Sequence, residues 1–277
     1  MLAETAYGKS SVRLVKVSRH GDRHDLKDLT VSIRFEGEYD QSYTDGDNRE
    51  VLPTDTMKNT VYALAAGNSV EEPEAFGRLL AEYFLDRNPR LRRVRVDLTE
   101  QPWGRIAIGT REHGQAFVRH AAESRSATVQ GQGDRITIGA GVKDLVILKS
   151  SHSAFTGFLR DEFTTLPDVA DRILASALTA TWRYRTTDLD FNLTWRAVRN
   201  TMLEAFAEHD SRSVQHTLHA MARAVLDSVD AVTAVRLVMP NKHHLPVDLA
   251  RLGLENRNEI FVPTDEPYGL IEATLTR

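Results

Sequence analysis

Leu52-Pro53-Thr54-Asp55-Thr56-Met57-Lys58-Asn59-Thr60-Val61-Tyr62 reads as a turn running into a helix, and it marks where the pattern of the chain changes. Pro53 cannot continue a strand, and Thr54 or Asp55 is suited to cap the free N–H groups of the helix that follows. Before this stretch, residues 7–19 carry Val12, Leu14, Val15 and Val17, and residues 29–39 alternate Leu29, Val31, Ile33 and Phe35. These read as two antiparallel strands joined by the polar stretch 20–28. After it, residues 57–66 and 72–86 read as helices, the second with Pro73 in its first turn and Phe76, Leu79, Leu80, Tyr83 and Phe84 at helical spacing. Strands resume at 91–98, where Leu91, Val94, Val96 and Leu98 stand among arginines, and at 117–130.

The second half repeats the order. Strands are expected at 135–138 and 144–149, a short helix at 167–176, and longer helices at 193–208 and 214–229. Val214, Leu218, Met221, Val225 and Val229 form one apolar stripe on the last of these, and strands at 232–239 and 271–275 close the chain. Two ββααββ units follow, an α+β arrangement with its boundary near Gly131-Gln132-Gly133. The units are residues 1–132 and 133–277.

Composition limits the chemistry. At 277 residues the chain is comfortable for two domains, each able to bury a core. A net charge of −4 disfavours a nucleic-acid partner, which calls for a basic face. The absence of cysteine excludes disulfides, thiolate metal sites, iron–sulfur clusters and thiol nucleophiles. No apolar run approaches membrane-spanning length, there is no signal-peptide core, and Leu275-Thr276-Arg277 is not a Ser-Lys-Leu address, so no membrane partner and a cytoplasmic location are expected. Dinucleotide and Walker glycine loops and a Gly-x-Ser-x-Gly elbow are missing. The ten histidines include His20/His24, His216/His219 and His243-His244, none in a His-Glu-x-x-His frame. His216 and His219 read as decoration of a helix face.

What remains is a scattered polar set, each member with an ordinary explanation. Tyr7-Gly8-Lys9 places a lysine where glycine lets the backbone approach something closely, though a surface lysine explains it as well. Residues 151–166 pack three phenylalanines into a polar loop, for which core packing is the default. Arg172 falls one turn inside the expected helix 167–176, where a solvated arginine suffices. Ser213-Val214-Gln215 starts a helix, so Ser213 is a candidate cap. Met239-Pro240-Asn241-Lys242-His243-His244 ends a strand with more chemistry than a turn requires.

Taken together, Tyr7-Gly8-Lys9, Thr54 to Thr60, Ala154-Phe155-Thr156-Gly157-Phe158-Leu159-Arg160-Asp161-Glu162-Phe163-Thr164-Thr165-Leu166, Ser213-Val214-Gln215 and Pro240-Asn241-Lys242-His243 resemble the urate oxidase (uricase) family. The blocks keep the family's order from residue 7 to about residue 270, with Phe35-Glu36-Gly37-Glu38 and residues 263–270 agreeing as well. The resemblance implies a tandem T-fold of bacterial type, antiparallel sheets with helices on one face, assembling into barrels and a homotetramer with sites at subunit interfaces.

The resemblance also implies roles. Substrate would be urate, with O₂ and water, giving 5-hydroxyisourate and hydrogen peroxide without any cofactor or metal. Phe155 would stack on the purine, Arg172 and Gln215 would grip its two edges, and the Val214 and Asp55 N–H groups would complete the rim. Lys9, Thr54 and His243 would relay protons, while Thr54 and Asn241 would face the position of oxygen and water. Two rivals share the fold: another T-fold purine or pterin enzyme, and a non-catalytic purine-binding homologue. The metal-dependent enzymes use cysteine and histidine ligands that this chain does not fully supply, and a mere binder could dispense with Lys9 and His243.

Overall fold

The computed structural model describes residues 2–119 and 123–277. The chain forms two compact units, one running to Gly141 and taking back Arg183–Trp195, the other Val142–Trp182 with Arg196–Arg277.

The first unit contains β1 (Tyr7–His20), β2 (Arg23–Gly37), α1 (Asp40–Thr44), α2 (Thr54–Gly67), α3 (Pro73–Arg87), β3 (Leu91–Gln101), β4 (Trp103–Ile108), β5 (Arg111–Arg119) and β6 (Ser124–Gln132). Its strands pair antiparallel in the order β1-β2-β3-β6, and β4 and β5 form a separate two-stranded ribbon. Alternation decides the core face. Leu29, Val31, Ile33 and Phe35 of β2 and Val94, Val96 and Leu98 of β3 are buried beneath Phe76, Leu80 and Phe84 of α3. A Cβ on Gly77 would lie 2.7 Å from Leu98 and 2.8 Å from Val129, so the missing side chain lets α3 settle onto β3 and β6.

The second unit takes part of β7 (Arg135–Lys149), then most of β8 (Leu174–Tyr184) and α4 (Phe191–Glu208), with α5 (Val214–Ser228), β9 (Val232–Pro246) and β10 (Phe261–Thr276). Strand order is β7-β8-β9-β10. Val214, Leu218, Met221 and Val225 of α5 are buried, as are Val232, Val235, Leu237 and Met239 of β9. From β7 onward the order is ββααββ. The first half keeps the same order with α1 and the β4–β5 ribbon added.

Several expectations about elements are corrected. The polar stretch 20–28 is not a connection: the chain reverses at Gly21 (φ 63°), and Arg23 to Asp28 already pair with β1. Polar side chains are stable there because Arg13 donates to buried Asp28 at 2.7 Å and Trp103 Nε1 donates to it at 3.1 Å. The run 117–130 divides between β5 and β6, and residues 120–122 lie outside the described residues. The two strands expected at 135–149 are one, with Asp144 at φ 56° inside it. The helix expected at 167–176 does not form, and β9 runs on through Asn241 and His243 to Pro246.

Candidate active site

In the first unit Lys9 lies on β1 at the edge of a bulge, where the β1–β2 register shifts between Lys9 and Val12 and Ser11 takes φ 58°. A Cβ on Gly8 would stand 1.9 Å from the Ile33 carbonyl oxygen, so the glycine is where β1 presses against β2. The Tyr7 hydroxyl accepts the Leu52 N–H at 3.1 Å and its ring meets Tyr39 edge to face at 4.9 Å. One side chain therefore joins the strand carrying Lys9 to the turn carrying Thr54.

That turn differs from expectation in one respect. Pro53, not Thr54 or Asp55, occupies the cap position of α2, and it makes no side-chain cap bond. Thr54 is the first helical residue and is half-buried, and its hydroxyl makes no hydrogen bond among the described residues. Asp55 receives Lys58 at 2.5 Å and Asn59 at 2.9 Å. Lys58 holds the Asp55 carboxyl below the usual range, with Asn59 and the charge of Lys9 adding to the effect. The N–H groups of the first turn stay available for a ligand.

In the second unit the backbone of residues 152–155 forms a hub. Phe155 and Val169 exchange N–H···O bonds of 2.8 and 3.0 Å, and the Arg172 N–H donates to Ser153 at 2.8 Å. On the other side, Ala154 donates to Ser211 at 2.7 Å and Ser211 donates to His152 at 2.9 Å. Phe155, Arg172 and the entry to α5 are thus held together by main-chain bonds. Asp171 strengthens the hub, accepting the Ser151 hydroxyl at 2.7 Å and the Ser153 N–H at 3.2 Å. The Ser151 bond leads the interactions that hold its carboxyl below the usual range.

Arg172 carries the unusual electrostatics. Its guanidinium carbon lies 5.4 Å from the Phe155 ring centre, and its buried Nε has no hydrogen-bond partner among the described residues. Burial alone pushes its pKa down, since no carboxylate is there to offset the lost hydration. Phe155 stacks on Phe158 at 4.8 Å with planes 10° apart, and Arg160 lies 4.6 Å from the Phe158 centre. At the start of α5, the Ser213 hydroxyl accepts the His216 N–H at 3.1 Å, as expected of a cap. Val214 is buried and the Gln215 side chain is exposed. Asn241 and His243 stand opposite Gly269 and Thr264, and two residues apart they share one face of β9. No hydrogen bond ties either to Phe155 or Arg172 among the described residues. No three His, Asp or Glu side chains there are gathered as a metal ion requires.

Sequence reasoning missed Tyr7, Asp171 and Phe158 as organisers of the site. Tyr7 and Phe158 lie inside blocks that carry the resemblance but were given no role, and the one signal for Asp171 was its place beside Arg172.

The uricase family model matches residues 5–130 and 138–272. The chain belongs to the uricase family. Uricase of Arthrobacter globiformis is 41% identical across the whole chain, which covers 90% of that relative, and uricase of Danio rerio is 35% identical, with 99% and 94% of the two chains covered. The crystal structure of the Arthrobacter uricase superposes with a TM-score of 0.96 over 100% of this chain and 95% of the other. A uricase from Bacillus fastidious, 23% identical, shares the fold with a TM-score of 0.84 over 98% and 93%. The α+β T-fold implied by the resemblance is thereby established for this uricase-family chain.

Proposed function

We propose that this chain oxidises urate with O₂ and water to 5-hydroxyisourate and hydrogen peroxide, with no resident cofactor. The observation that carries the reading is Arg172, a half-buried guanidinium beside Phe155 with an orphaned Nε, fixed by backbone bonds to the entry of α5. A buried cation without a carboxylate is completed by an anionic ligand, and an aromatic face alongside suits a flat one. Urate is both. Arg172 presents two parallel N–H donors to one edge of the ring, and Gln215 with the Val214 N–H grips the other.

Lys9 and Thr54 take the proton that urate gives up, and His243 completes the relay. The resulting dianion is the electron donor to O₂, which is reduced to peroxide while water adds to the oxidised ring. Thr54 and Asn241 flank the place where O₂ and then water bind, and the Asp55 N–H closes the rim. The protein supplies orientation, a base and a dry pocket.

Lys9, Thr54 and Asp55 belong to one unit, and Phe155, Arg172, Gln215, Asn241 and His243 to the other. We place the complete site at a subunit interface, the N-terminal residues meeting the C-terminal set of a neighbouring chain in a homotetramer built from barrels. We place the repeat boundary between residues 132 and 133 and the enzyme in the cytoplasm. The test is urate consumption and peroxide release, measured in equal amounts, by exhaustively chelated protein. Activity that vanishes with chelator and returns with metal overturns the cofactor-free reading, and binding of urate without turnover leaves a purine-binding protein.

A further inference from the structure

His209 immediately follows α4 and His216 lies in the first turn of α5, and their rings meet with centres 4.3 Å apart. His209 Nε2 is 3.1 Å from His216 Nδ1, and the Arg212 backbone N–H donates to that same Nδ1 at 3.4 Å. A ring nitrogen that accepts a backbone N–H has no proton of its own. The geometry therefore assigns His216 the neutral form protonated at Nε2, and makes His209 Nε2 the donor. Ser213 accepts the His216 N–H while the His216 ring accepts the N–H of Arg212, one residue before the cap. This is the reciprocal logic of a capping box, with histidine in the position usually held by glutamate or glutamine. The turn so closed contains Val214 and Gln215.

The surroundings of His209 oppose an added proton on that ring. The Lys149 ammonium, from β7, donates to the Phe206 carbonyl at 3.3 Å and the His209 carbonyl at 2.5 Å, and the positive end of α5 lies beside His216. Asp210, in the connection between the helices, acts the other way on His209. Burial, then His216 and then Lys149, outweigh Asp210 and push the His209 pKa below its ordinary value.

We propose that His216, as a neutral acceptor from His209 and Arg212, is a positioning residue that fixes the first turn of α5 and so holds Val214 and Gln215 to the substrate edge. The inference rests on the urate-site reading above.

The experiment measures the dissociation constant of an unreactive urate analogue, with kcat and KM for urate, for wild type, His216→Gln and His216→Ala. Glutamine keeps an acceptor, so His216→Gln retains most of the wild-type affinity. His216→Ala weakens binding roughly fivefold and raises KM more than it lowers kcat, as expected where a capping interaction worth about 1 kcal/mol is lost. Wild-type affinity in His216→Ala overturns the proposal, as does a loss in His216→Gln as large as that in His216→Ala. Arg172→Lys is the separate control: if it binds the analogue as wild type does, the urate-site reading fails, whatever His216 shows.

Discussion

In the proposed site Arg172 would bind and Lys9 would move protons, and single substitutions separate the two roles. Arg172→Lys keeps the charge but loses the planar fork, so analogue binding should weaken by about 1–3 kcal/mol, the scale of hydrogen bonds to charged groups. Inhibition constants for an unreactive analogue measure this, and a wild-type value would mean that the orphaned Nε serves no ligand. Lys9→Met and Thr54→Ala remove proton-transfer groups and leave Phe155, Arg172 and Gln215 to hold the ring. Each should cut kcat by roughly 10²–10⁴ with little change in analogue affinity, and the double variant should lose far less than the product of the two. Independent, multiplying losses would show that the residues do not act as one unit. Both residues depend on Tyr7, whose hydroxyl accepts the Leu52 N–H and so ties the Lys9 strand to the Thr54 turn. Gly8 has no freedom to vary, since any Cβ there would meet the Ile33 carbonyl.

At the scale of elements, the segment that returns to the first unit is anchored by a buried ion pair. Arg125 of β6 donates to Glu74 of α3 at 2.6 Å and to Asn192 at 2.5 Å, and lies over the Trp195 ring. Glu74 is fully buried, and burial pushes its carboxyl up to about 6 against the pull of Arg125. Arg125→Met strands the carboxylate and should cost about 3–5 kcal/mol near neutral pH, where Glu74 is charged. A raised folded pKa contributes stability below the unfolded value that is lost as pH rises through the folded one. The penalty in Arg125→Met should therefore shrink on acidification, and denaturant melts at acidic and alkaline pH check this; an unchanged penalty would place the cost in packing instead. Most elements were legible because one face of each is buried. The alternation of Leu29, Val31, Ile33 and Phe35, and the stripe of Val214, Leu218, Met221 and Val225, both survive as core. The failure at 167–176 is instructive. Val169, Ile173 and Leu174 have helical spacing, but Val169 pairs with Phe155 and the Arg172 N–H binds Ser153, partners distant in sequence that no local window contains. Arg172 is named by the resemblance, while its buried, orphaned Nε is visible only once that pairing is known.

For the whole molecule, the proposed interface site makes a complementation test possible. Chains carrying Lys9→Met have an intact Arg172, and chains inactivated at Arg172 have an intact Lys9. Co-assembled mixtures should regain part of the wild-type activity, and mixtures with none would place each site within one chain. The path of the chain between its two units has a different consequence. The first unit takes back Arg183–Trp195 from the second half of the sequence, and β7, β8 and α4 each cross from one unit to the other. A duplicated module is in principle exchangeable between relatives by a single recombination event, but here a crossover at the repeat boundary would import a foreign partner for Glu74 and Arg125 along with the new C-terminal half. Chimaeras should tolerate such a junction only when Asn192 and Trp195 travel with a compatible α3 and β6, which makes the two halves co-inherited neighbours and no longer interchangeable parts.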